Sequence, residues 1–314
     1  MTDSDVDTRD EYAARSASVP GTAATGETQA TVVGVVGLGA IGGAVARHLV
    51  SEGQSVVVCD VRSEALTPFI GKAETTQDPV HLASKCRIVL VAVVSDEQLR
   101  EVMQGVLVGA EPHTIVVVLS TVRVETVIAL AQAAARQGVS VLDCGVSGGP
   151  AAANRGQLVC MVGGDPGVVE WIGPIFEAWS SEIIYTGQVG SGLAAKLSRN
   201  IVQYGAWLAA YEGQMLAEAY GVDLQKLAQA IRASDALSGG ITALMIRETV
   251  KPFGDEDNPT LVEAMEAGAG LAHKDLRIAL ELAATLGVDL PMTELTEARC
   301  GLIFGGRPSS GPKA

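Results

Sequence analysis

Aromatic side chains make up only 4% of this 314-residue chain. An Ala- and Gly-rich composition so poor in large rings suits helices packed on a sheet better than a sandwich of two sheets, and the length allows one large or two modest cores. Positive charge is also scarce. The 22 Lys and Arg stand against 36 Asp and Glu, a net charge of −14, and no local basic stripe interrupts the excess, which disfavours nucleic acid as a partner. The five cysteines (Cys59, Cys86, Cys144, Cys160, Cys300) are odd in number and form no C-x-x-C pair, so they read as reduced, buried thiols rather than a disulfide framework. The four histidines lack ligand-type spacing, so no metal is expected. Apolar runs long enough to span a bilayer are absent: Ile88 to Val94 and Ile115 to Leu119 are short, and Val32 to Val50 is broken by glycines and carries Arg47 and His48. Residues 1–30, with Asp3, Asp5, Asp7, Asp10 and Glu11, contain no apolar core of a signal peptide and read as a solvated acidic tail. The expectation is a soluble, cytoplasmic protein acting on a small molecule, with no membrane or nucleic-acid partner.

What is present is alternation. The β-branched runs Thr31 to Val36, Ser55 to Asp60, Arg87 to Val94, Thr114 to Leu119 and Val139 to Asp143 are separated by helix-type segments, the pattern of parallel strands joined by crossovers. Leu158 to Val162 and Ile183 to Tyr185 extend the sheet, with a helix over Pro166 to Trp179 between them. Beyond Gly192 the β-branched runs vanish and apolar residues recur at helical spacing through Leu282. A long helix is predicted from about Leu193 to Tyr220, ending at Gly221. The expected organisation is an acidic tail (1–30), a sheet domain (31–190), an all-helical domain (191–304) and a loose Gly/Pro/Ser tail (305–314). Trp171, Trp179 and Trp207 read as packing residues, Met245, Met265 and Met292 as gap-fillers, and His273 as a solvated helix residue.

The first strand ends in Gly37-Leu38-Gly39-Ala40-Ile41-Gly42, runs into a helix-compatible Ala-Val-Ala-Arg-His-Leu-Val segment, and is followed eighteen residues after Gly42 by Asp60 at the end of the second strand. In that context the glycines permit a tight turn and close approach of a pyrophosphate to a helix N-terminus, whose free N–H groups and dipole stabilise the anion. A carboxylate at Asp60 can accept from the ribose hydroxyls and would repel a 2′-phosphate, which favours NAD. Arg62 pulls the other way, because a guanidinium could pair with that phosphate and admit NADP.

A second glycine cluster, Ser147-Gly148-Gly149-Pro150, leaves the fifth strand and offers a hydroxyl with approachable backbone N–H groups, a seat for a carboxylate or hydroxyl. Lys196 follows the turn Gly190-Ser-Gly192. Asn200 lies one turn on and Gln203 about two, making a polar stripe on a helix otherwise rich in Ala, Leu and Val.

Four motifs in order, Val36-Gly-Leu-Gly-Ala-Ile-Gly42, Asp143 to Gly149 with Gly156 beyond, Gly190-x-Gly-x-x-x-Lys196-x-x-x-Asn200, and Lys274-Asp275-Leu276 followed by Ala279, make the chain resemble the β-hydroxyacid dehydrogenases from about residue 31 to 302. That family includes 3-hydroxyisobutyrate dehydrogenase, tartronate semialdehyde reductase and 6-phosphogluconate dehydrogenase. The resemblance implies a lysine at Lys196 acting as general base on a 3-hydroxyl, Ser147, Gly148, Gly149 and Asn200 holding the substrate, Lys274 near cofactor and substrate, and a homodimer or homotetramer. It places Val61 beside Asp60 and Arg62 at the adenosine end, and Val93, Val94 and Thr121 beside the nicotinamide. Val93-Val94 stands where many members have Leu-Pro. Gln203 occupies a position where decarboxylating 6-phosphogluconate enzymes carry a glutamate needed to protonate the enediol, which disfavours that chemistry. Imine reductases and non-catalytic scaffolds of the same architecture replace the lysine, so its retention favours alcohol oxidation.

The expected fold is α/β: a Rossmann-type, doubly wound, mainly parallel sheet followed by an all-α C-terminal domain. The expected activity is reversible hydride transfer between NAD, with NADP as the alternative, and a small 3-hydroxy acid. The alternatives are a tartronate semialdehyde reductase or a 6-phosphogluconate dehydrogenase-like enzyme and, outside enzymes, an oligomerising NAD-binding scaffold.

Overall fold

The computed structural model describes residues 31–247 and 249–306; the expected acidic tail and most of the C-terminal tail lie outside the described residues. The chain divides into two compact units, 1–199 and 200–314. That division falls inside one long helix, beyond the point at which the sequence pattern changes.

The first unit alternates as its β-branched runs require: β1 (Val32–Val36), α1 (Gly42–Ser51), β2 (Ser55–Cys59), α2 (Ser63–Leu66), β3 (Glu74–Thr76), α3 (Pro79–Ala83), β4 (Ile88–Val91), α4 (Asp96–Gly109), β5 (Ile115–Val118), α5 (Val124–Ala135), β6 (Ser140–Ser147), α6 (Gly149–Asn154), β7 (Leu158–Gly163), α7 (Pro166–Glu177) and β8 (Ser180–Gly187). The eight strands form one sheet in the order β3-β2-β1-β4-β5-β6-β7-β8. Every pairing is parallel except β6 with β7, which is antiparallel. This is the Rossmann-type, doubly wound sheet expected. Strand β3 is three residues long and carries too little pattern to be read beforehand. Strand β6 runs four residues past Asp143, which lets it pair with β7 and carries the chain to Ser147.

Both faces of the sheet are covered, which is why its central strands read as continuous apolar runs rather than alternating ones. On one face Val33, Val35, Ile88, Leu90, Val117 and Leu142 pack under α1 and α7, with Leu49, Ile172, Phe176 and Trp179. On the other, Val57, Val89, Val91, Val116 and Val118 meet Leu82, Leu99, Met103, Val127 and Leu193. Trp179 is wholly buried, edge-on to Phe176 with centroids 5.0 Å apart, whereas Trp171 and Trp207 are exposed.

Beyond the sheet come α8 (Ser191–Tyr220), α9 (Leu224–Ser238), α10 (Pro259–Leu286), α11 (Pro291–Ala298) and α12 (Cys300–Ile303), with a 3₁₀ turn at Gly240–Thr242. Among the described residues the regular elements of the second unit are all helical, as its pattern required, with a non-helical stretch between residues 243 and 258. Helix α8 stops where expected, at Gly221, whose φ of +89° closes the helix in the left-handed region. Asp223 and Asn258 cap α9 and α10 by accepting from the backbone amides of their first turns. The apolar surface buried in this unit is slight: Met265, Ala283, Leu290 and Cys300. Met245, read as a gap-filler, is exposed, and His273 pairs with Glu297 at 3.3 Å. Among the described residues no helix is long and apolar enough to cross a membrane.

Candidate active site

In a doubly wound sheet the ligand crevice opens at the carboxyl ends of the strands where the order reverses, here between β1 and β4. The loop Gly37–Gly42 leaves β1 at that point and opens α1. Gly37 has φ +87°, and a Cβ there would lie 2.3 Å from the Ala92 carbonyl oxygen; a Cβ at Gly42 would lie 2.0 Å from the Gly37 oxygen. Any larger residue would push the loop off β4. Gly39 and Ala40 are exposed, nothing approaches Gly39 within 4 Å, and the helix behind them presents its unpaired N–H groups. This cradle fits a dinucleotide pyrophosphate. Leu38 is buried and Ile41 half-buried, so they anchor the loop from below.

Asp60, at the end of β2, is buried. Its Oδ2 accepts from the Leu38 N–H at 2.8 Å, and the Arg62 side chain grips both carboxylate oxygens, with Nε and Nη2 each 3.1 Å away. Burial pushes the carboxyl up, but the Arg62 and Leu38 hydrogen bonds outweigh it and leave it below the ordinary range. Arg62 is therefore engaged by Asp60, and a 2′-phosphate would have to compete with that pair. Val61 between them is exposed. Val93 and Val94 follow β4, the former donating its N–H to Ser120 Oγ at 2.8 Å and the latter exposed; Thr121, after β5, is exposed at the same edge. Thus the sheet unit gathers at one end the residues assigned to the cofactor, Lys274 excepted.

The second half of the site is built on β6. Asp143, Gly145 and Ser147 alternate on one face of that strand. Gly145 is the seat of Lys196: a Cβ on Gly145 would fall 2.4 Å from the lysine Cβ, so only glycine lets α8 lie this close. Ser147 is buried, and Gly148 and Gly149 turn away from it with φ of +116° and +65°. Lys196 is half-buried. Desolvation, and then Arg199 on the same helix, hold its ammonium below the ordinary lysine range. Asn200 lies one turn on along α8. Lys274 lies in the helical unit, on α10, mostly exposed and paired with its neighbour Asp275 at 3.0 Å.

Two buried carboxylates were given no role by the sequence, although Asp143 opens one of its motifs. Asp143 accepts from the Gly190 and Leu193 amides at 2.6 and 2.7 Å, at the head of α8. Glu212 accepts from the Met292 and Thr293 amides at 2.7 and 2.8 Å and from Thr293 Oγ1, at the head of α11. All five cysteines are buried and free; burial raises the Cys59 thiol to about 11 and the Cys86 thiol to about 12, which makes them poor nucleophiles. Among the described residues no group of His, Cys, Asp or Glu could hold a metal ion.

Residues 32–187 match the family model described as the NAD binding domain of 6-phosphogluconate dehydrogenase, and residues 190–300 that described as the NAD-binding of NADP-dependent 3-hydroxyisobutyrate dehydrogenase. An uncharacterized oxidoreductase of Mycobacterium tuberculosis strain H37Rv is 37% identical over 87% of this chain and 93% of its own length. The chain belongs to the β-hydroxyacid dehydrogenase family. As a member of the β-hydroxyacid dehydrogenases it is an oxidoreductase taking NAD or NADP as cofactor. Another relative, the NAD-dependent L-serine dehydrogenase of Pseudomonas aeruginosa PAO1, is 31% identical over 84% of this chain and 89% of its own. A crystal structure of a Mycobacterium avium 104 protein superposes with a TM-score of 0.79 at 34% identity, covering 88% of this chain and 99% of that one.

Proposed function

We infer that this chain reversibly transfers a hydride between NAD and the 3-hydroxyl carbon of a small 3-hydroxy acid of the 3-hydroxyisobutyrate type, with Lys196 as general base. The observation that carries the reading is the seating of Lys196 on Gly145, two residues from Ser147 on the strand that ends in the Gly148-Gly149 turn. Ser147 Oγ, the Gly148 and Gly149 amides and Asn200 supply neutral donors for the substrate carboxylate and hydroxyl, and Lys196 Nζ takes the hydroxyl proton. Val93, Val94 and Thr121, at the ends of β4 and β5, would hold the nicotinamide, which would supply the hydride acceptor when bound. A free lysine, with a pKa near 10.4, is a weak base at neutral pH. The half-buried setting of Lys196 favours the uncharged amine that base catalysis needs.

Asp60, held by Leu38 and Arg62, favours NAD over NADP, because a 2′-phosphate would meet a buried carboxylate whose guanidinium partner is already engaged. Lys274 is assigned to the cofactor side. The helical unit exposes Ile201, Tyr204, Trp207, Tyr211 and Ile278 while burying little apolar surface of its own, which supports assembly as a homodimer or homotetramer. The free thiols accord with a reducing cytoplasm.

The test is an assay with 3-hydroxyisobutyrate, L-serine and D-glycerate, each with NAD⁺ and NADP⁺. D-glycerate turnover would point to the tartronate semialdehyde branch, and a scaffold would turn over none. Replacing Lys196 by Met should cost about 10²–10⁴-fold in kcat while leaving NAD⁺ binding intact. Undiminished turnover would remove the base assignment.

A further inference from the structure

Asp143 makes none of the substrate or cofactor contacts inferred above, yet it is wholly buried. Its two oxygens accept from the Gly190 and Leu193 amides at 2.6 and 2.7 Å, and the Gly192 amide faces it as well. These N–H groups belong to the turn entering α8 and to its first turn, where a helix supplies no partner of its own. A carboxylate in a dry site is costly unless several donors surround it, and here they come from one helix end. A Cβ on Gly192 would strike the Met161 and Asp143 carbonyl oxygens at 2.4 and 2.7 Å, so the helix head is drawn hard against β6 and β7. One face of β6 therefore carries the helix tether at Asp143, the lysine seat at Gly145 and the candidate substrate hydroxyl at Ser147.

We propose that Asp143 is the positioning residue of Lys196, pinning the head of α8 to β6 and setting a negative charge against the positive end of the helix that carries the ammonium. The proposal rests on the reading of Lys196 as the base. Among the described residues, Arg199 on α8 bears directly on the Lys196 charge, while Asp143 on β6 acts at the helix head, where Gly190 lies against Val124 and Ile128 of α5 and Gly192 against Met161 of β7. Without the carboxylate, the bare helix end disfavours the ammonium, and the lysine loses its fixed seat on Gly145.

The experiment follows the Lys196 amine itself, by pH-dependent competitive acetylation read by mass spectrometry on the full chain, in wild type, D143N and D143E. In D143N an amide group faces backbone N–H donors and the charge is gone. Lys196 should titrate lower by about 0.2–0.7 pH unit, the range given by a helix-end charge. In D143E, which keeps the charge, the titration should stay nearer wild type. Turnover should fall at least about ten-fold in D143N through misplacement of the lysine, with the cofactor dissociation constant held, since the Gly37–Gly42 loop stands on other strands. An unmoved Lys196 titration in D143N overturns the proposal. If D143N does not fold, amide hydrogen exchange in the wild type decides: Gly190 and Leu193 should be protected like central β6 amides, and exchange at loop rates overturns it. The acetylation readout needs no turnover, so loss of the base reading, seen as full activity in K196M, is distinguishable from loss of the tether.

Discussion

Asp143 and Glu212 do the same job in two units and titrate in opposite directions. Each is a buried carboxylate that closes the N-terminus of a helix from a distant element, yet Asp143 sits above the ordinary aspartate range and Glu212 below the glutamate one. At Asp143 burial dominates, and the amides of Gly190, Leu193 and Gly192 do not make up for the water it has lost. At Glu212 burial also pushes upward, but Thr293, through hydroxyl and amide, and the Met292 amide together prevail. The difference is that of the surrounding cores. Asp143 lies in a sheet packed on both faces, with Gly190 and Leu193 buried beside it; Met292 and Thr293 are only half-buried, in a unit with little apolar interior. A cap in a dry core fixes geometry at an electrostatic cost, while a cap near water gains hydrogen bonds at less cost.

The largest expected effect separates the two caps directly. Replacing Asp143 by Ala orphans two buried N–H donors and should cost about 2–6 kcal/mol, on 1–3 per donor, whereas Glu212→Ala should cost about 1–3 because water can reach Met292 and Thr293. Urea unfolding of both variants measures this, and equal losses would erase the distinction. Next comes Gly145→Ala, which must move Lys196 outward; a displacement near 1 Å should lower kcat by up to about 100-fold with little change in cofactor binding. Wild-type kcat in that variant would mean that the close seat is irrelevant to the chemistry.

The acid response gives a smaller effect with a defined sign. Because the folded-state pKa of Glu212 lies below its unfolded value of 4.5, its stabilisation is present above that pH and is lost as pH falls through the folded value. Asp143 runs the other way: its contribution is present below its unfolded value of 3.8 and lost as pH rises through the raised value, so it adds nothing to acid lability. Glu212→Gln should therefore flatten the loss of stability as pH falls below 4.5, an effect of about 1.5–3 kcal/mol by the usual worth of hydrogen bonds to a charged group. An unchanged slope in acid titration followed by circular dichroism would assign that lability elsewhere. The smallest effect concerns α8 at Gly213, where an added Cβ would meet nothing within 4 Å. Gly213→Ala should raise stability by up to about 1 kcal/mol from helix propensity alone. A drop in Tm instead would show that another copy packs against that face.

Much of this was legible beforehand because it is local. The β-branched runs, the Gly37–Gly42 turn, the Asp60 position and the termination of α8 at Gly221 each depend on a few consecutive residues and their steric rules. The Gly145 seat was visible only as a glycine in a motif, since nothing nearby in the sequence says that Lys196 will rest on it. Three-residue β3 carried no periodicity to read. The direction of β7 could not be read either, because a buried strand looks alike in either orientation.

The chain by itself determined the alternation and the dinucleotide loop, since dihedral preference and side-chain period act over a turn or a strand, and its resemblance to a family marked the candidate base. Only the tertiary structure decided that Asp143 would hold the head of the lysine's helix, 47 residues away, and that Glu212 would hold α11 across 80. Contacts at such separation arise where packing brings unpaired amides and a carboxylate into one dry place, and sequence spacing carries no trace of that.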